Sequence, residues 1–466
     1  MPNPPADHRQ RLAALSLAML LPTLGTSIAN VALPTLMTSF DASTRQVQWV
    51  VIAYLLAVTT LVVAAGRIGD VFGRRRVLLA GIGVFIAASA AGVFASDLWH
   101  LILVRGVQGV GAAVVMALSV ALVGDAVPAQ RAGTAVGLLA TVSALGTALG
   151  PSLGGVLIAA GGWQAIFVFL TVAGAAALML GRHFFPTDRP ASPSRLSVDY
   201  AGIALLALTL GGFAFAATIE ASWFITLSVA VLSLVALTAF VSVEQKVRAP
   251  LVPLQLLADR QLRTSLLSLM FVSAIMMATL VVGPVYLSAV LGLAPAEVGL
   301  LLTIGPAVAA ATGFPAGRLV DRVGHTRVAS SGLAGVALGS SFMAVLPEFF
   351  GIEGYVASLV IITACYALFQ AANNSNVMKR AGEEQRGVTA ALLALARNLG
   401  LVAGASAMGS IFALGSGGIE DLGLAAGGQA GMRLTFAVAA ALACVSLVLV
   451  LRVQNSPHRK LLPKPR

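Results

Sequence analysis

The sequence contains GRIGDVFGRRRV at residues 66–77 and a second, similar stretch, GRLVDRVGHTRV, at residues 317–328. Both fit the frame G-R-x-x-D-x-x-G-x-x-R-V, and each lies between the second and third long apolar run of its part of the chain. A repeat of this kind indicates a chain built from two related halves. The glycines are expected to let helix ends approach closely, and the charged residues to form hydrogen bonds or ion pairs across the seam. The residues assigned to this gating and interhelix motif are Gly66, Arg67, Asp70, Gly73 and Arg74 in the first copy and Gly317, Asp321 and Gly324 in the second.

Long apolar runs make up most of the remaining chain. Of the 466 residues, 58% are hydrophobic and only 10% are charged, which is too little polar surface to cover a soluble protein of this size. A bilayer core needs about 20 apolar residues per helical span, and such runs recur between short polar connectors. A membrane barrel would instead show segments of about 10 residues with alternating polarity, which the sequence lacks. The composition therefore predicts an all-α polytopic membrane protein.

The apolar runs fall into three groups. Six spans precede the polar stretch PTDRPASPSR at 186–195, two more follow near 199–221 and 223–245, and a last six begin after a connector. The first run is too long for a signal-peptide core and is interpreted as a retained span. We therefore expect about fourteen transmembrane helices. The predicted divisions are an N-terminal six-helix half at 1–185, a linker with two extra helices at 186–262, and a C-terminal six-helix half with a tail at 263–466.

The basic residues predict the orientation of these helices. With a cytoplasmic N-terminus, every second connector faces inward, and these connectors hold nearly all the Lys and Arg. The opposite connectors carry mainly Asp and Glu, with Arg45 and Arg433 as the main basic exceptions. This distribution follows the positive-inside rule and predicts a multi-pass membrane protein with both termini in the cytoplasm. The net charge of +11 then reflects orientation. A nucleic-acid partner, which would need a basic folded face with stacking aromatics, is not expected.

The duplicated motif is similar to the signature loop of the major facilitator superfamily and its weaker second copy. Further stretches resemble motifs of the fourteen-span drug:H+ antiporter (EmrB/QacA-like) family within that superfamily. RGVQGVGAA from Arg105 resembles the fourth-span arginine motif, and GTALGPSLGG from Gly146 resembles the fifth-span antiporter motif. The other stretches are TLGTSIANVALPTL, WVVIAYLLA, PLVPLQLLADR and ALARNLG. The resemblance covers essentially the whole chain. It implies a major facilitator fold in a bacterial inner membrane that exports drugs or metabolites by proton antiport.

Two arginines lie deep within predicted spans. At the helical rise per residue, Arg105 is about 10 Å from the outer end of its span and Arg397 about 15 Å from the cytoplasmic end. A charge at such depth usually faces a watery cavity or a polar partner, so both are assigned to a substrate or proton cavity. The alternative for Arg105 is a structural arginine that ties helices together through backbone carbonyls and Gln108. The uncharged residues assigned to the cavity, or to hydrogen bonds between helices, are Asn30, Tyr54, Gln108, Gln370, Asn373, Asn374 and Asn398.

The antiporter-type motif predicts a tightly packed helix. Gly146, Gly150, Gly154 and Gly155 repeat near the four-residue spacing that places small residues on one helix face, and Pro151 can kink the span. Such a helix fits the seam along which two halves rock during alternating access. Static close packing would produce the same pattern.

The predicted spans lack an obvious carboxylate for proton transport. The resembling family usually has an aspartate where this chain has Gly25, and no span has a mid-depth Asp or Glu. Coupling would then depend on a peripheral acid such as Asp70 or Glu220. Two buried arginines without a buried acid favour anionic or neutral substrates over lipophilic cations.

The sequence therefore leaves three candidate functions. The first is a proton-linked exporter of drugs or metabolites, and the second is an exporter or facilitator of organic anions or neutral compounds without proton coupling. A membrane sensor is disfavoured because the connectors are too short to hold a soluble domain. We expect no enzyme, cofactor or metal, because the five histidines show no metal spacing and Cys365 and Cys444 lie in apolar runs. The expected partners are a small-molecule substrate, protons if transport is coupled, and lipid, and a monomer suffices.

Overall fold

A computed structural model of the chain describes residues 8–126, 132–185, 199–218, 223–247, 254–380, 386–416 and 424–454. These residues form helices joined by short connectors, as lipid requires, because a helix satisfies its own backbone hydrogen bonds. In chain order the helices are α1 (His8–Val31), α2 (Leu33–Phe40), α3 (Thr44–Val47), α4 (Trp49–Phe72), α5 (Arg74–Val93), α6 (Leu98–Ala126), α7 (Ala132–Gly161), α8 (Gln164–Phe184), α9 (Tyr200–Thr218), α10 (Trp223–Glu244), α11 (Arg260–Ala289), α12 (Pro295–Val323), α13 (His325–Arg380), α14 (Arg386–Ala403), α15 (Gly409–Gly415) and α16 (Leu424–Gln454). A 3-10 helix, Leu254–Ala258, precedes α11, and a π-helical turn, Gly404–Met408, joins α14 to α15.

Twelve helices in the described part of the chain are long and apolar enough to cross a membrane. The protein is therefore a polytopic membrane protein, as the composition predicts. The count differs from the fourteen spans expected from the sequence. Two features bear on this difference: α13 counts as one span, and α7 contributes only a shorter apolar helix, Leu145–Gly161.

Helix α13 folds back on itself at Gly351, whose backbone is not helical (φ 53°, ψ −125°). Its first arm, residues 325–350, packs antiparallel against its second arm, residues 352–380. A Cβ added to Gly332 would lie 2.7 Å from the backbone nitrogen of Phe369, so the arms are in backbone contact. A straight helix of 56 residues would be about 84 Å long, far more than the roughly 30 Å of a hydrocarbon core. The turn reconciles the length of α13 with the thickness of a bilayer.

The loops that follow α4 and α12 lie at the same end of the bundle, which we call the basic end. Gly73 (φ 99°) links α4 to α5, and Gly324 (φ 93°) links α12 to α13. This backbone region is strained for residues with a side chain, which explains why both copies of the motif have glycine here. Gly66 and Gly317 are different, because a Cβ on either would meet no atom within 4 Å. Neither of these two glycines therefore brings two helices into close contact in this structure.

Helix α7 packs closely on both α1 and α12. Cβ atoms added to Gly146 and Gly150 would overlap the side chains of Thr23 and Ser27 of α1. On the other side, a Cβ on Gly155 would lie 2.5 Å from the carbonyl oxygen of Pro295 at the start of α12. The close packing predicted for this glycine motif is present, and it joins α1 to α12 through α7.

The helix pair α9–α10 lies beside the bundle. The two helices pack on each other, and α9 also contacts α4 and the α14 region. On α4, Trp49 donates an indole hydrogen bond of 2.9 Å to the hydroxyl of Thr218 and lies 6.1 Å, between ring centroids, from Phe215. Most of α10 is apolar and exposed, as at Leu232 and Val235, which suits a surface in contact with lipid.

The α5–α6 contact offers a test of this packing. A Cβ on Gly111 would lie 2.7 Å from both the carbonyl oxygen of Gly81 and the amide nitrogen of Phe85. We expect Gly111→Ala to destabilise the protein by about 1–3 kcal/mol, because the clash is with backbone that cannot move aside. Thermal unfolding in detergent measures this. Gly106→Ala on the same helix is the control, since its Cβ would meet nothing within 4 Å. Equal midpoints for the two variants would contradict the packing.

Candidate functional site

A cavity of about 450 Å³ lies at the centre of the bundle. On one side it is lined by residues of α1, α4, α6 and α7, and on the other by residues of α11, α12, the second arm of α13, and α14. On the second arm of α13 the lining residues include Thr363, Tyr366, Gln370 and Asn374. Their spacing of three or four residues places them on one helix face, which is turned to the cavity.

Four polar residues form one wall of this cavity: Gln370 and Asn374 of α13, and Arg397 and Asn398 of α14. We call them the amide–arginine cluster. Arg397 is the one charged side chain among the described residues that line the cavity, and it forms no ion pair with any of them. Asn374 Oδ1 is buried and has no hydrogen-bond partner in the described part of the chain. The cluster therefore presents a cation that has no carboxylate partner among these residues and is free for a ligand.

The opposite wall of the cavity is also polar, but its side chains do not offer a ligand free hydrogen-bond donors. Thr23, Thr26, Ser27 and Thr147 line it, and none of the four was assigned to the cavity from the sequence. Their hydroxyls donate to carbonyl oxygens of their own helices, for example from Thr26 to Pro22 at 2.9 Å. A hydroxyl that is already donating can still accept a hydrogen bond but offers a ligand no second proton. The recurrence of hydroxyls at 23, 26 and 27 on one helix face was the available sequence signal.

The structure places Arg105 outside the cavity lining, in contrast to the sequence assignment. Arg105 is only 1% exposed. Its guanidinium donates to the carbonyl oxygens of Val50 and Gly25, both at 2.9 Å, and to Gln108 Oε1. The structural alternative, an arginine that ties helices together through carbonyls and Gln108, is the arrangement found. Arg105 thereby joins α6 to α1 and α4.

Other predicted cavity residues support Arg105 or lie apart from the cavity. The Tyr54 ring lies 4.2 Å from the Arg105 guanidinium carbon, and its hydroxyl donates to Pro22 O at 2.7 Å. Gln108 is fully buried and donates to Ser89 Oγ at 2.7 Å. Asn30 is also fully buried, and its Nδ2 donates to Thr26 O at 3.3 Å. Asn373 is 5% exposed and does not line the cavity. Of the predicted set, the cavity brings together Gln370, Asn374, Arg397 and Asn398.

Gly25 stands where the resembling family usually has an aspartate, and its surroundings show which groups bind Arg105 without a carboxylate. Its carbonyl oxygen accepts one of the hydrogen bonds from Arg105, and a Cβ at this position would lie 3.2 Å from the Tyr54 hydroxyl. Backbone and side-chain oxygens thus satisfy the arginine without a carboxylate. Among the described residues that line the cavity there is no Asp or Glu. Glu220, one candidate peripheral acid, lies outside the described residues.

The first copy of the duplicated motif forms a local ion pair. Asp70 accepts from Arg74 Nε at 2.8 Å, and Arg74 Nη1 donates to Ala121 O of α6 at 3.3 Å. In the second copy, His325 Nε2 lies 3.2 Å from Lys379 Nζ on the second arm of α13. Both loops therefore attach to a neighbouring helix at the basic end. Asp321 is exposed at the end of α12.

The cavity is closed at the end opposite the basic end. There, α7 contacts α12 at Gly155 and Gly299, where a Cβ on Gly155 would lie 3.2 Å from the Cα of Gly299. A second contact joins Gln48, before α4, to Gly409 of α15, where an added Cβ would overlap the Gln48 amide. Both contacts join helices from the two sides of the cavity.

The two deep arginines predict different consequences of mutation. We expect Arg105→Gln to lower stability by about 1–3 kcal/mol, because the buried Gln108 Oε1 loses its donor and the hydrogen bonds that tie α6 to Gly25 O and Val50 O are lost. Arg397→Gln should leave the thermal midpoint nearly unchanged, since Arg397 faces the cavity. Thermal unfolding of both variants in the same detergent measures this. A larger loss of stability for the Arg397 variant would show that their roles are reversed.

Comparison with known proteins gives the family. The sequence profile described as Major Facilitator Superfamily matches residues 15–405 and 264–466. The uncharacterized transporter YebQ of Escherichia coli is 30% identical over 386 residues, covering 82% of this chain and 84% of YebQ. The riboflavin transporter RibZ of Clostridioides difficile is 28% identical, covering 86% and 88%. The multidrug resistance protein Stp of Mycobacterium tuberculosis is 28% identical, covering 86% and 75%.

The fold agrees with this result. The crystal structure of a D-xylose–proton symporter superposes with a TM-score of 0.69 and covers 98% of both chains, at 14% sequence identity. The likeness at this identity concerns the fold alone. The profile match and the helical architecture agree, and the resemblance seen in the duplicated motif is confirmed at the level of the superfamily. The chain is a membrane transporter, not an enzyme, and it belongs to the Major Facilitator Superfamily.

Proposed function

We propose that this transporter exports amphipathic small molecules, drugs or metabolites, by alternating access. The observation that supports this most is the central cavity, which lies between two sets of helices and has a largely apolar lining with the amide–arginine cluster on one side and hydroxyl groups on the other. A site of this kind suits a ligand with an apolar body and a polar group. The relatives include a multidrug resistance protein and a riboflavin transporter, which is consistent with transport of such compounds.

We also propose the fourteen-span arrangement of the EmrB/QacA-like family. Each arm of α13 is long enough to span a bilayer, and α7, at 30 residues, is long enough as well. Counting both arms and α7 brings the twelve candidate spans to fourteen. The proposed divisions are the halves 1–185 and 263–466, with the α9–α10 pair carried by the linker 186–262. The packing of α9 on both α4 and the α14 region supports a position of this pair beside the contact between the proposed halves.

We propose that the basic end, and with it both termini, faces the cytoplasm. Arg74, Arg75, Arg76, Arg322 and Arg327 cluster there, as the positive-inside rule requires of the cytoplasmic side. The contacts at Gly155 and Gln48 then close the external end of the cavity. We infer that the substrate site then opens toward the cytoplasm, as an exporter needs for loading.

Proton antiport is the proposed source of energy, and it rests on the family resemblance. A specific observation favours the second candidate, facilitated transport without proton coupling: the described lining of the cavity has no carboxylate, and Gly25 stands where an acid would be expected. Asp70 is held in an ion pair with Arg74. Any coupling proton would therefore bind away from the described cavity lining.

Membrane topology can be tested with cysteines on a background lacking Cys365 and Cys444. We expect Trp223→Cys and Glu353→Cys to react with an impermeant thiol reagent from outside, because they lie at the external ends of α10 and the second arm of α13. Lys246→Cys and Lys379→Cys should react only from inside. If Trp223→Cys and Lys246→Cys reacted from the same side, α9 and α10 would not be spans.

Transport itself is tested in everted membrane vesicles with a panel of cationic, neutral and anionic fluorescent compounds. We expect uptake of at least one class above empty-vector vesicles, and faster uptake when the vesicle lumen is acidic. Uptake that is unaffected by collapsing the pH gradient would exclude proton antiport and favour the uncoupled alternative. No uptake of any class would contradict export.

A further inference from the structure

We infer that the cavity selects amphipathic organic monoanions, in which one carboxylate binds Arg397 and an apolar, preferably aromatic, body fills the rest of the site. The inference rests on the proposed function, because it names the substrate class of the same cavity. From the sequence alone, two arginines are assigned to the cavity, and anionic substrates are not distinguished from neutral ones.

The charged residues that line the cavity determine which ligand charge it prefers. Arg105 lies outside the lining with its hydrogen bonds satisfied, so Arg397 is the one cation among the described lining residues. Arg397 has no carboxylate partner among those residues. One ligand carboxylate would neutralise it, with the paired hydrogen bonds that a planar guanidinium can donate. A second ligand charge would be desolvated without a partner, at a large cost in free energy.

The same charged residues disfavour the binding of cationic ligands. A ligand ammonium would lie in a cavity that holds Arg397 and no described Asp or Glu. Repulsion from the guanidinium and the lack of a counter-charge both weaken its binding. The donors available for an anion are on the same wall, where the amides of Gln370 and Asn398 line the cavity with Arg397.

The remaining surface indicates an apolar and preferably aromatic body. Met116 of α6 and Met276 and Met277 of α11 line the cavity, with leucines of α12 and α13. Methionine adapts to irregular ligands, and its sulfur makes favourable contacts with aromatic rings. Across from the amide–arginine cluster, the threonine hydroxyls are already donating within their own helices. The ligand is therefore oriented with its carboxylate toward α13 and α14.

A matched series of naphthalene ligands tests the inference directly. Calorimetry on the purified full-length protein in detergent compares 2-naphthoate, 2-naphthamide, 2-naphthylmethylammonium and naphthalene-2,6-dicarboxylate, which share one ring system and differ in charge. We expect 2-naphthoate to bind about tenfold or more tightly than the amide, since a charge-assisted hydrogen bond is stronger than a neutral one. The ammonium and the dicarboxylate should bind more weakly than the amide.

Variants of Arg397 test whether this residue causes the preference for naphthoate over naphthamide. Arg397→Gln should remove the preference for naphthoate over naphthamide, while Arg397→Lys should retain part of it because the charge remains. Arg260→Gln is the control: it removes one positive charge from an exposed position at the start of α11, outside the cavity, and should leave the preference unchanged. An unchanged preference in Arg397→Gln would overturn the inference, and so would binding of the ammonium as tight as that of naphthoate.

The two proposals fail in distinguishable ways. If naphthoate binds through Arg397 but is not moved in vesicles, export is wrong while the ligand class stands. If vesicles export cationic or neutral dyes and naphthoate does not bind, the ligand class is wrong while export stands.

Discussion

A charge held away from water must find its hydrogen-bond partners within the protein, and this constraint separates the two deep arginines of the structure. Arg105 meets it fully, through Gly25 O, Val50 O and Gln108. These bonds join three helices at a depth where no water competes, so the arginine acts as a structural centre for α1, α4 and α6. Arg397 has no such partners among the described residues and instead faces the cavity. One buried charge thus stabilises the scaffold and the other is left for a ligand.

The glycines of α7 connect this scaffold to the opposite side of the cavity. Three of them place α7 against α1, the helix whose Gly25 binds Arg105, and the next places it against the start of α12. Contacts between small residues bury little side chain and depend on close backbone approach. A contact of this kind can separate without withdrawing large side chains from a packed core. The contact between Gly155 and Gly299, opposite the basic end, is therefore compatible with the opening that alternating access requires.

Sequence reasoning could predict the class, the superfamily and the close packing of α7, because these depend on composition, repeats and local spacing. It also anticipated Gly73 and Gly324 as special positions, although the reason is their positive φ rather than close helix contact. It could not separate Arg105 from Arg397, since both lie deep in apolar runs and only tertiary contacts show which is satisfied. The hydroxyls of Thr23, Thr26, Ser27 and Thr147 were missed for a related reason. A hydroxyl in an apolar helix is common, and whether it faces a cavity depends on how eight helices from distant parts of the chain pack together. The hydropathy pattern predicts two separate apolar runs near 327–347 and 354–378, and the turn at Gly351 lies between them.

The central claim is that Arg397 gives the cavity a positive potential while Arg105 does not. The most direct measurement is the rate at which a small anionic and a small cationic thiol reagent modify Gln370→Cys, on a background without Cys365 and Cys444. The ratio of the two rates is compared with the ratio at the exposed surface position Glu353→Cys. An unpaired charge in a cleft produces a potential of several kT, so we predict that the anionic reagent is favoured several-fold at Gln370→Cys and that Arg397→Gln removes this excess. A rate ratio at Gln370→Cys that equals the surface value, or that persists without Arg397, would contradict the account.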